Sequence, residues 1–218
     1  MSLFVYRKPR SLLPYALYMP EGKPPRGGWP LILFLHGSGE RGSDGKKQST
    51  VGIGPAIQEQ PDQWPAVVLM PQCPKGQQWA GQPLAQAYEL LNLIEQQHKT
   101  NPRRVYLTGL SMGGYGCWNL GCLYPQRFAA IAPICGAADP FMVWQRLGKV
   151  PIWNFHGTSD EVVPVSFSRA LADAVAKSGN PSARFTEYPI DKHDVWNRVY
   201  RELEFIHWLF EQHKRAGQ

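Results

Sequence analysis

The sequence predicts an α/β fold in which helices cover both faces of a mostly parallel central sheet. Short apolar runs alternate with amphipathic segments from Pro30 onward, which is typical of this class. The pattern is clearest at residues 104–123, where a β-rich run passes through a glycine-rich turn into a helix. Because 218 residues with 43% hydrophobic content can bury a sizeable core, we expect one domain over residues 1–218.

Hydrophobic runs and their periodicity predict the individual elements. Residues 15–19 and the segment before them should form antiparallel strands at one sheet edge. Buried strands are predicted at 31–35, 67–70, 104–108, 129–132, 151–155 and 183–188. Apolar residues at helical spacing predict helices within 84–94, 115–123, 170–175 and 196–210, and these apolar stripes should pack on the sheet.

The pentapeptide 109–113 reads Gly-Leu-Ser-Met-Gly and lies between a predicted strand and a predicted helix. This context is typical of a sharp turn that exposes the hydroxyl of a nucleophilic serine, here Ser111. A Cβ at Gly109 or Gly113 should collide with the neighbouring strand or helix. We therefore predict that Ser111 is the nucleophile.

A serine nucleophile needs a base and a carboxylate that orients the base. Asp160 follows one predicted strand and His193 follows the next, so the order is Ser111, Asp160, His193. That order is the one found in α/β-hydrolases rather than in other serine-protease folds. Asp139 is the rival acid. His36 and His156 each precede a glycine at a strand end, where a structural role is expected.

The oxyanion formed by attack on a carbonyl needs two backbone N–H donors. One donor should be the amide of Met112, directly after the nucleophile. The second should come from the small-residue turn after residues 31–35, and we predict the amide of Ser38. Gly37 and Gly39 remain alternatives, because the sequence does not decide which amide turns inward.

The chain resembles single-domain carboxylesterases of the α/β-hydrolase type, related to feruloyl esterases, phospholipase/carboxylesterases and polyhydroxybutyrate depolymerases. The resemblance implies the fold, the triad and the oxyanion loop together. Lys192 is a departure, because relatives often place a glycine before the catalytic histidine. The matching segments are 13–20, 35–42, 70–74, 109–116, 132–136, 155–160 and 193–196.

Composition narrows the possible partners. The net charge is +6 and the sequence pI about 9.2, but the cations are dispersed and form no aromatic-interleaved patch, so nucleic-acid binding is not expected. No apolar run is long enough for a bilayer, and the N-terminus lacks a signal-type apolar region, so we expect a cytoplasmic protein without a membrane partner. The four cysteines have no metal-ligand or redox spacing and should be core residues: Cys73, Cys117, Cys122 and Cys135.

Two residues are candidates for substrate contact. Trp79 follows the predicted strand 67–70 and could form an aromatic wall, although a tryptophan that covers the sheet edge is an equal alternative. Glu40 borders the oxyanion turn, where a solvated ion pair with Arg41 would explain it equally well. Residues 136–150 leave room for only one short helix where many lipases insert a lid, so the site should be open.

Together these features predict a serine carboxylesterase that acts on small soluble esters, short-acyl or aryl, through an acyl-enzyme. No metal or organic cofactor is implied. A thioesterase or peptidase with the same triad is the nearest alternative. A non-catalytic binding protein with the hydrolase fold is the alternative from another class.

Overall fold

A computed structural model describes residues 3–214 of the chain, which form a central sheet flanked by helices. The strands of the described part are β1 (Phe4–Arg7), β2 (Tyr15–Tyr18), β3 (Trp29–Leu35), β4 (Val67–Pro71), β5 (Thr100–Leu110), β6 (Ala130–Ile134), β7 (Ile152–Gly157) and β8 (Ala183–Tyr188). Their order in the sheet is β1-β2-β4-β3-β5-β6-β7-β8. The β1–β2 and β2–β4 pairs are antiparallel and the remaining pairs are parallel, which confirms the predicted fold class.

Helices cover both faces of this sheet. In the described residues they are α1 (Ile53–Glu59), α2 (Gly81–Gln97), α3 (Met112–Leu123), α4 (Pro140–Arg146), α5 (Val165–Lys177), α6 (Trp196–Val199) and α7 (Leu203–Glu211). Short 3₁₀ turns occupy Ser38–Glu40, Lys47–Thr50 and Pro61–Gln63. None of the helices between residues 3 and 214 combines the length and the hydropathy that a bilayer crossing requires.

Alternation along the strands divides the core into two layers. In β3, Leu31, Leu33 and Leu35 face a cluster that includes residues of α2, α3 and α5, while Ile32 and Phe34 face a cluster with residues of α1, α6 and α7. A strand buried on both sides requires apolar residues at every position, since successive side chains point to opposite faces.

The predicted role of the four cysteines as core residues is confirmed, because all four are buried and none forms a disulfide.

The predicted helix at 196–210 is wrong as one continuous element. The structure breaks it between α6 and α7, where Glu202 adopts an extended conformation (φ −77°, ψ 118°). Tyr200, at the break, is fully buried, and its hydroxyl lies 2.9 Å from Thr108 Oγ1 on the central strand β5. Tertiary packing of this ring therefore overrides the helical periodicity that the sequence shows.

The parallel strands carry the functional loops to one edge of the sheet. The carboxyl ends of β3, β5, β6, β7 and β8 all lie at this edge, because the strands between β4 and β8 run in one direction. In open α/β sheets ligands bind outside the carboxyl ends of the strands. The loops that follow β3, β5, β7 and β8 carry the candidate oxyanion turn, nucleophile, acid and base.

The turn between β5 and α3 packs directly on the end of β3. A Cβ built on Gly109 would lie 2.5 Å from Leu35 O, and a Cβ on Gly113 would collide with the same carbonyl. No rotamer change can relieve a clash with backbone, so these positions require glycine. The predicted steric reason for both glycines is confirmed.

This packing predicts a large loss of stability for Gly113→Ala. We expect its free energy of unfolding to fall by about 3 kcal/mol or more, because the methyl group must displace β3 or α3. Urea denaturation monitored by circular dichroism measures the change. Gly39→Ala is the matched control, since a Cβ there meets nothing within 4 Å; equal stability of the two variants would contradict the packing argument.

Candidate active site

Ser111 occupies a strained backbone conformation at the end of β5. Its φ is 52° and its ψ is −119°, a region that non-glycine residues rarely adopt. The conformation is held from both sides: Ser111 N–H donates to Ile134 O at 2.9 Å, and Ser111 O accepts from Tyr115 N at 3.1 Å. The turn thus reverses the chain sharply between strand and helix.

The three residues predicted as a triad lie in one hydrogen-bonded chain. His193 Nε2 is 2.9 Å from Ser111 Oγ, and His193 Nδ1 is 2.7 Å from Asp160 Oδ2. A carboxylate can only accept, so Nδ1 carries the proton and Nε2 presents its lone pair to the serine hydroxyl. This tautomer is the one that a general base requires.

The Asp160 carboxylate is buried and almost completely hydrogen-bonded. Its Oδ1 accepts from the amides of Val162 and Val163, both at 2.9 Å, and its Oδ2 accepts from His193. Burial by itself raises the pKa of Asp160, but the hydrogen bonds from His193 and the two amides outweigh it and leave the pKa below its ordinary value. The carboxyl is therefore ionised at neutral pH.

The rival acid predicted from the sequence, Asp139, caps a helix and is not part of this hydrogen-bonded chain. Asp139 is the N-cap of α4, where its Oδ1 accepts from the Phe141 amide at 2.9 Å.

The ring of His193 meets Trp196 edge-on with centroids 5.1 Å apart, which restrains the imidazole from one side. Lys192 is exposed, and its carbonyl packs so closely on Gly157 that a Cβ there would collide with it.

His36 fixes the loop after β3. The amide of Cys73 donates to His36 Nε2 at 2.9 Å, so the ring proton is on Nδ1, which donates to Gly37 O at 2.6 Å. The ring is fully buried, and burial lowers the pKa of His36 to about 4. His36 is therefore neutral at pH 7 and serves as a fixed donor to the loop.

The orientation of the Gly37 carbonyl favours Ser38 as an oxyanion donor. In a trans peptide the C=O and the next N–H point in opposite directions, so the Ser38 N–H points away from the His36 ring. The loop lies over the nucleophile, since a Cβ built on Gly37 would be 3.7 Å from Ser111 Cβ. The Gly37 amide itself interacts with the carboxylate of Glu40.

Met112 provides the other candidate amide. It is the first residue of α3, and the first N–H groups of a helix have no partner within the helix. The positive end of the helix dipole also lies at this point. The geometry thus leaves the Met112 amide available beside Ser111.

Trp79 is buried in the described conformation, which agrees with the covering role that the sequence left as an equal alternative to substrate contact. Its side chain is only 1% exposed, and its Nε1–H donates to His36 O at 2.9 Å. Its ring also meets the His36 ring edge-on at 5.1 Å. Trp79 therefore anchors the start of the loop after β3 and offers no open face to a ligand.

Glu40 packs within the loop after β3 and is only partly exposed to solvent. Its Oε2 is 4.0 Å from His36 Nδ1, and its side chain is 17% exposed. Burial raises the pKa of Glu40, and the positive charge of Lys47 and the amide of Gly37 partly offset this. Its contact with substrate stays a prediction.

Tyr115 was not singled out by sequence reasoning. It lies four residues after Ser111 in α3, a spacing that places both on one helix face, and it is 37% exposed. Burial of its hydroxyl, together with the negative charge of Asp160, raises the pKa of Tyr115. Its spacing of four residues from Ser111 is the only feature of the sequence that points to Tyr115 as a neighbour of the site.

One group of potential metal ligands lies beside the triad. The ligand atoms of Cys135, His156 and Asp160 lie within 4.8 Å of one another, and all three residues are buried. Both ring nitrogens of His156 are already hydrogen-bonded, to Ser168 Oγ and Val163 O, each at 2.7 Å. The group therefore presents no free imidazole lone pair.

Comparison with known proteins identifies the family. Residues 23–209 match the phospholipase/carboxylesterase model of the α/β-hydrolases. The chain belongs to this family. The resemblance drawn from the sequence motifs is therefore confirmed. The family description also agrees with the predicted class of enzyme, a serine hydrolase that cleaves esters.

Among curated relatives, poly(3-hydroxyoctanoate) depolymerase from Pseudomonas fluorescens is 30% identical over an alignment of 205 residues; the match covers 80% of this chain and 72% of the depolymerase. Among solved structures, a thermostable esterase is 35% identical with a TM-score of 0.85. The match covers 97% of this chain but only 63% of that esterase. A feruloyl esterase module from Clostridium thermocellum, 14% identical with a TM-score of 0.70, shares the fold over 99% of this chain and 90% of the module.

The buried neutral His36 predicts a loss of stability in acid. Its pKa in the folded protein is about 4, below the ~6.5 of an unfolded histidine. The unfolded chain therefore binds more protons between these values, and stability rises with pH across this window. As the pH falls through it, we expect the free energy of unfolding to drop by on the order of 3 kcal/mol from this residue.

Urea denaturation of His36→Asn and wild type at several pH values tests this expectation. The asparagine keeps a donor near Gly37 O but cannot titrate, so the variant should show a shallower slope between pH 6.5 and 4. His207→Gln, on the exposed side of α7, is the control and should keep the wild-type slope. Identical slopes for all three proteins would refute the assignment.

Proposed function

We propose that this chain is a serine carboxylesterase in which Ser111 is the nucleophile, His193 the base and Asp160 the orienting acid. The observation that carries the proposal is the hydrogen-bonded chain of 2.9 Å and 2.7 Å that joins these three side chains. The strained turn at Ser111 and the ionised state of Asp160 support the same roles. No step requires a cofactor.

The reaction follows from the proton positions. Ser111 Oγ attacks the ester carbonyl while His193 Nε2 takes the hydroxyl proton, and the carbonyl oxygen becomes an oxyanion facing the amides of Ser38 and Met112. Collapse of this intermediate breaks the bond to the alkoxy oxygen, which leaves as the alcohol with the proton from His193. A water molecule then attacks the acyl carbonyl while His193 Nε2 takes its proton, and collapse of this second intermediate breaks the bond to Ser111 Oγ. His193 returns the proton to that oxygen, and the carboxylic acid is released.

The openness of the site supports small soluble esters as substrates. Between β6 and β7 the chain forms only the seven-residue helix α4, so no lid of the lipase kind is built from this region. Short-acyl or aryl esters need no closed apolar tunnel. Tyr115, partly exposed one turn after the nucleophile, replaces Trp79 as the aromatic side chain proposed to contact an aryl group. The same triad would also cleave a thioester or a peptide, and the ester preference rests on the family and on its ester-cleaving relatives.

Labelling with a fluorophosphonate probe tests the catalytic assignment. We expect covalent modification at Ser111, located by peptide mapping, and turnover of an aryl acetate in the wild type. Ser111→Ala should lose both, and His193→Ala should lose labelling because the hydroxyl has no base. Folded protein that binds aryl esters without turnover and without labelling would instead favour a non-catalytic binding protein.

A panel of ester, thioester and amide substrates with matched acyl groups would rank the esterase, thioesterase and peptidase alternatives.

Ser38→Pro tests the oxyanion amide by removing its hydrogen. Gly37 is extended and Ser38 is the first residue of a 3₁₀ turn, so proline fits the backbone. We expect kcat to fall by roughly 10²–10³ with little change in KM, as on removal of one oxyanion donor. Ser38→Ala keeps the amide and is the matched control, with kcat near that of the wild type. Equal kcat values in the two variants would exclude the Ser38 amide as a donor.

A further inference from the structure

A second histidine lies against the triad carboxylate. His156 is the penultimate residue of β7, is fully buried, and is four residues before Asp160. Its Nε2 is 3.1 Å from Asp160 Oδ2, the oxygen that also accepts from His193 Nδ1 at 2.7 Å. One carboxylate oxygen thus faces two imidazole rings.

The neighbours of His156 determine its proton position. Nε2 is 2.7 Å from Val163 O, and because a carbonyl oxygen only accepts, Nε2 carries the proton. Nδ1 is 2.7 Å from Ser168 Oγ and therefore accepts from the hydroxyl. Burial lowers the pKa of His156, so the ring stays neutral with a fixed Nε2–H.

We infer that His156 is a positioning residue for Asp160, which it restrains through both carboxylate oxygens. At Oδ2 the Nε2 atom itself lies 3.1 Å away, so its N–H dipole is beside the carboxylate although the hydrogen is directed at Val163 O. At Oδ1 it acts through the backbone: it holds Val163 O, while the amide of the same residue donates to Oδ1 at 2.9 Å. This inference deepens the proposed function and rests on it, because it assigns the role through the triad acid.

The consequence for the reaction concerns charge as well as geometry. When His193 takes the serine proton it becomes an imidazolium, and Asp160 compensates that charge. The N–H dipole of His156 beside Oδ2 offsets part of the negative charge of Asp160, so less of that charge is available to stabilise the His193 imidazolium. His156 therefore keeps the carboxylate aligned while it limits how strongly the protonated form of His193 is favoured.

The other titratable groups around this pair leave the argument unchanged. Tyr115 from α3 and Cys135 after β6 face Asp160, but burial raises the pKa of each and both are neutral at pH 7. Glu187 on β8 lies near His156, and its hydrogen bonds from Arg169 lower its pKa and pair its charge. Asp194 lies in the histidine loop, and its charge acts on Cys135.

The test is the pH profile of kcat/KM for an aryl acetate in His156→Leu and His156→Gln. Leucine removes the N–H at similar volume, so the acidic limb should move to higher pH by about half a unit, equivalent to ~0.7 kcal/mol. The same variant should lose roughly tenfold in kcat. Glutamine keeps an N–H donor near the Nε2 position, so its limb should coincide with that of the wild type.

Ser168→Ala is the control for structural loss. It removes the bond to Nδ1 but leaves Nε2–H, so its melting temperature should fall while its acidic limb stays in place. An unmoved limb in folded His156→Leu, or an equal shift in His156→Gln, would overturn the positioning role. If the leucine variant does not fold, ¹⁵N NMR of wild-type histidines decides: a neutral Nε2–H tautomer of His156 at pH 7 is expected, and any other state refutes the inference. Lack of ester turnover by the wild type would refute the proposed function instead, and would leave the NMR outcome to be judged separately.

Discussion

The active-site edge depends on the contact between the end of β3 and the start of α3. Leu35 O lies so close to the turn that only glycine is accommodated at positions 109 and 113. This contact brings the loop after β3 over Ser111, and it leaves the Met112 amide at the first turn of α3. A bulkier turn would push Ser111 away from the loop after β3.

Two buried neutral histidines perform the same kind of task at this edge. β3 and β7 both run into a His-Gly pair, and in each case the ring proton is directed at a backbone carbonyl, Gly37 O or Val163 O. Because each ring is buried, it stays uncharged and its donor cannot rotate away as an exposed side chain could. One ring orients the peptide that precedes Ser38, and the other orients the turn that carries Asp160. Rigid strands thus determine the positions of groups that lie in loops.

The sequence allowed prediction of features that depend on local pattern. Strand runs, the Gly-X-Ser-X-Gly turn and the order of Ser111, Asp160 and His193 each have a signal within a few residues. Features that depend on distant contacts were missed: the last helix is interrupted after buried Tyr200, whose hydroxyl meets Thr108 on β5, and α1 forms although it contains Gly54, with Ile53 and Ile57 buried against the sheet. The choice between the two roles of Trp79 also depends on distant contacts, since only the fold brings its indole under His36.

Backbone strain in the described residues is concentrated near the same edge. The non-glycine residues with positive φ are Ser111 after β5, Cys135 after β6, and Ile190 in the loop that leads to His193. Each costs on the order of 1–3 kcal/mol and persists only where surrounding contacts determine the backbone. The contacts are present: Ser111 N–H donates to Ile134 O, Cys135 N–H to Phe155 O, and Ile190 N–H to Thr158 Oγ1. Since the first two acceptors belong to neighbouring parallel strands, the sheet itself holds the turns in place. The stability of the sheet is therefore what holds Ser111 at its turn and keeps His193 within hydrogen-bonding distance of it.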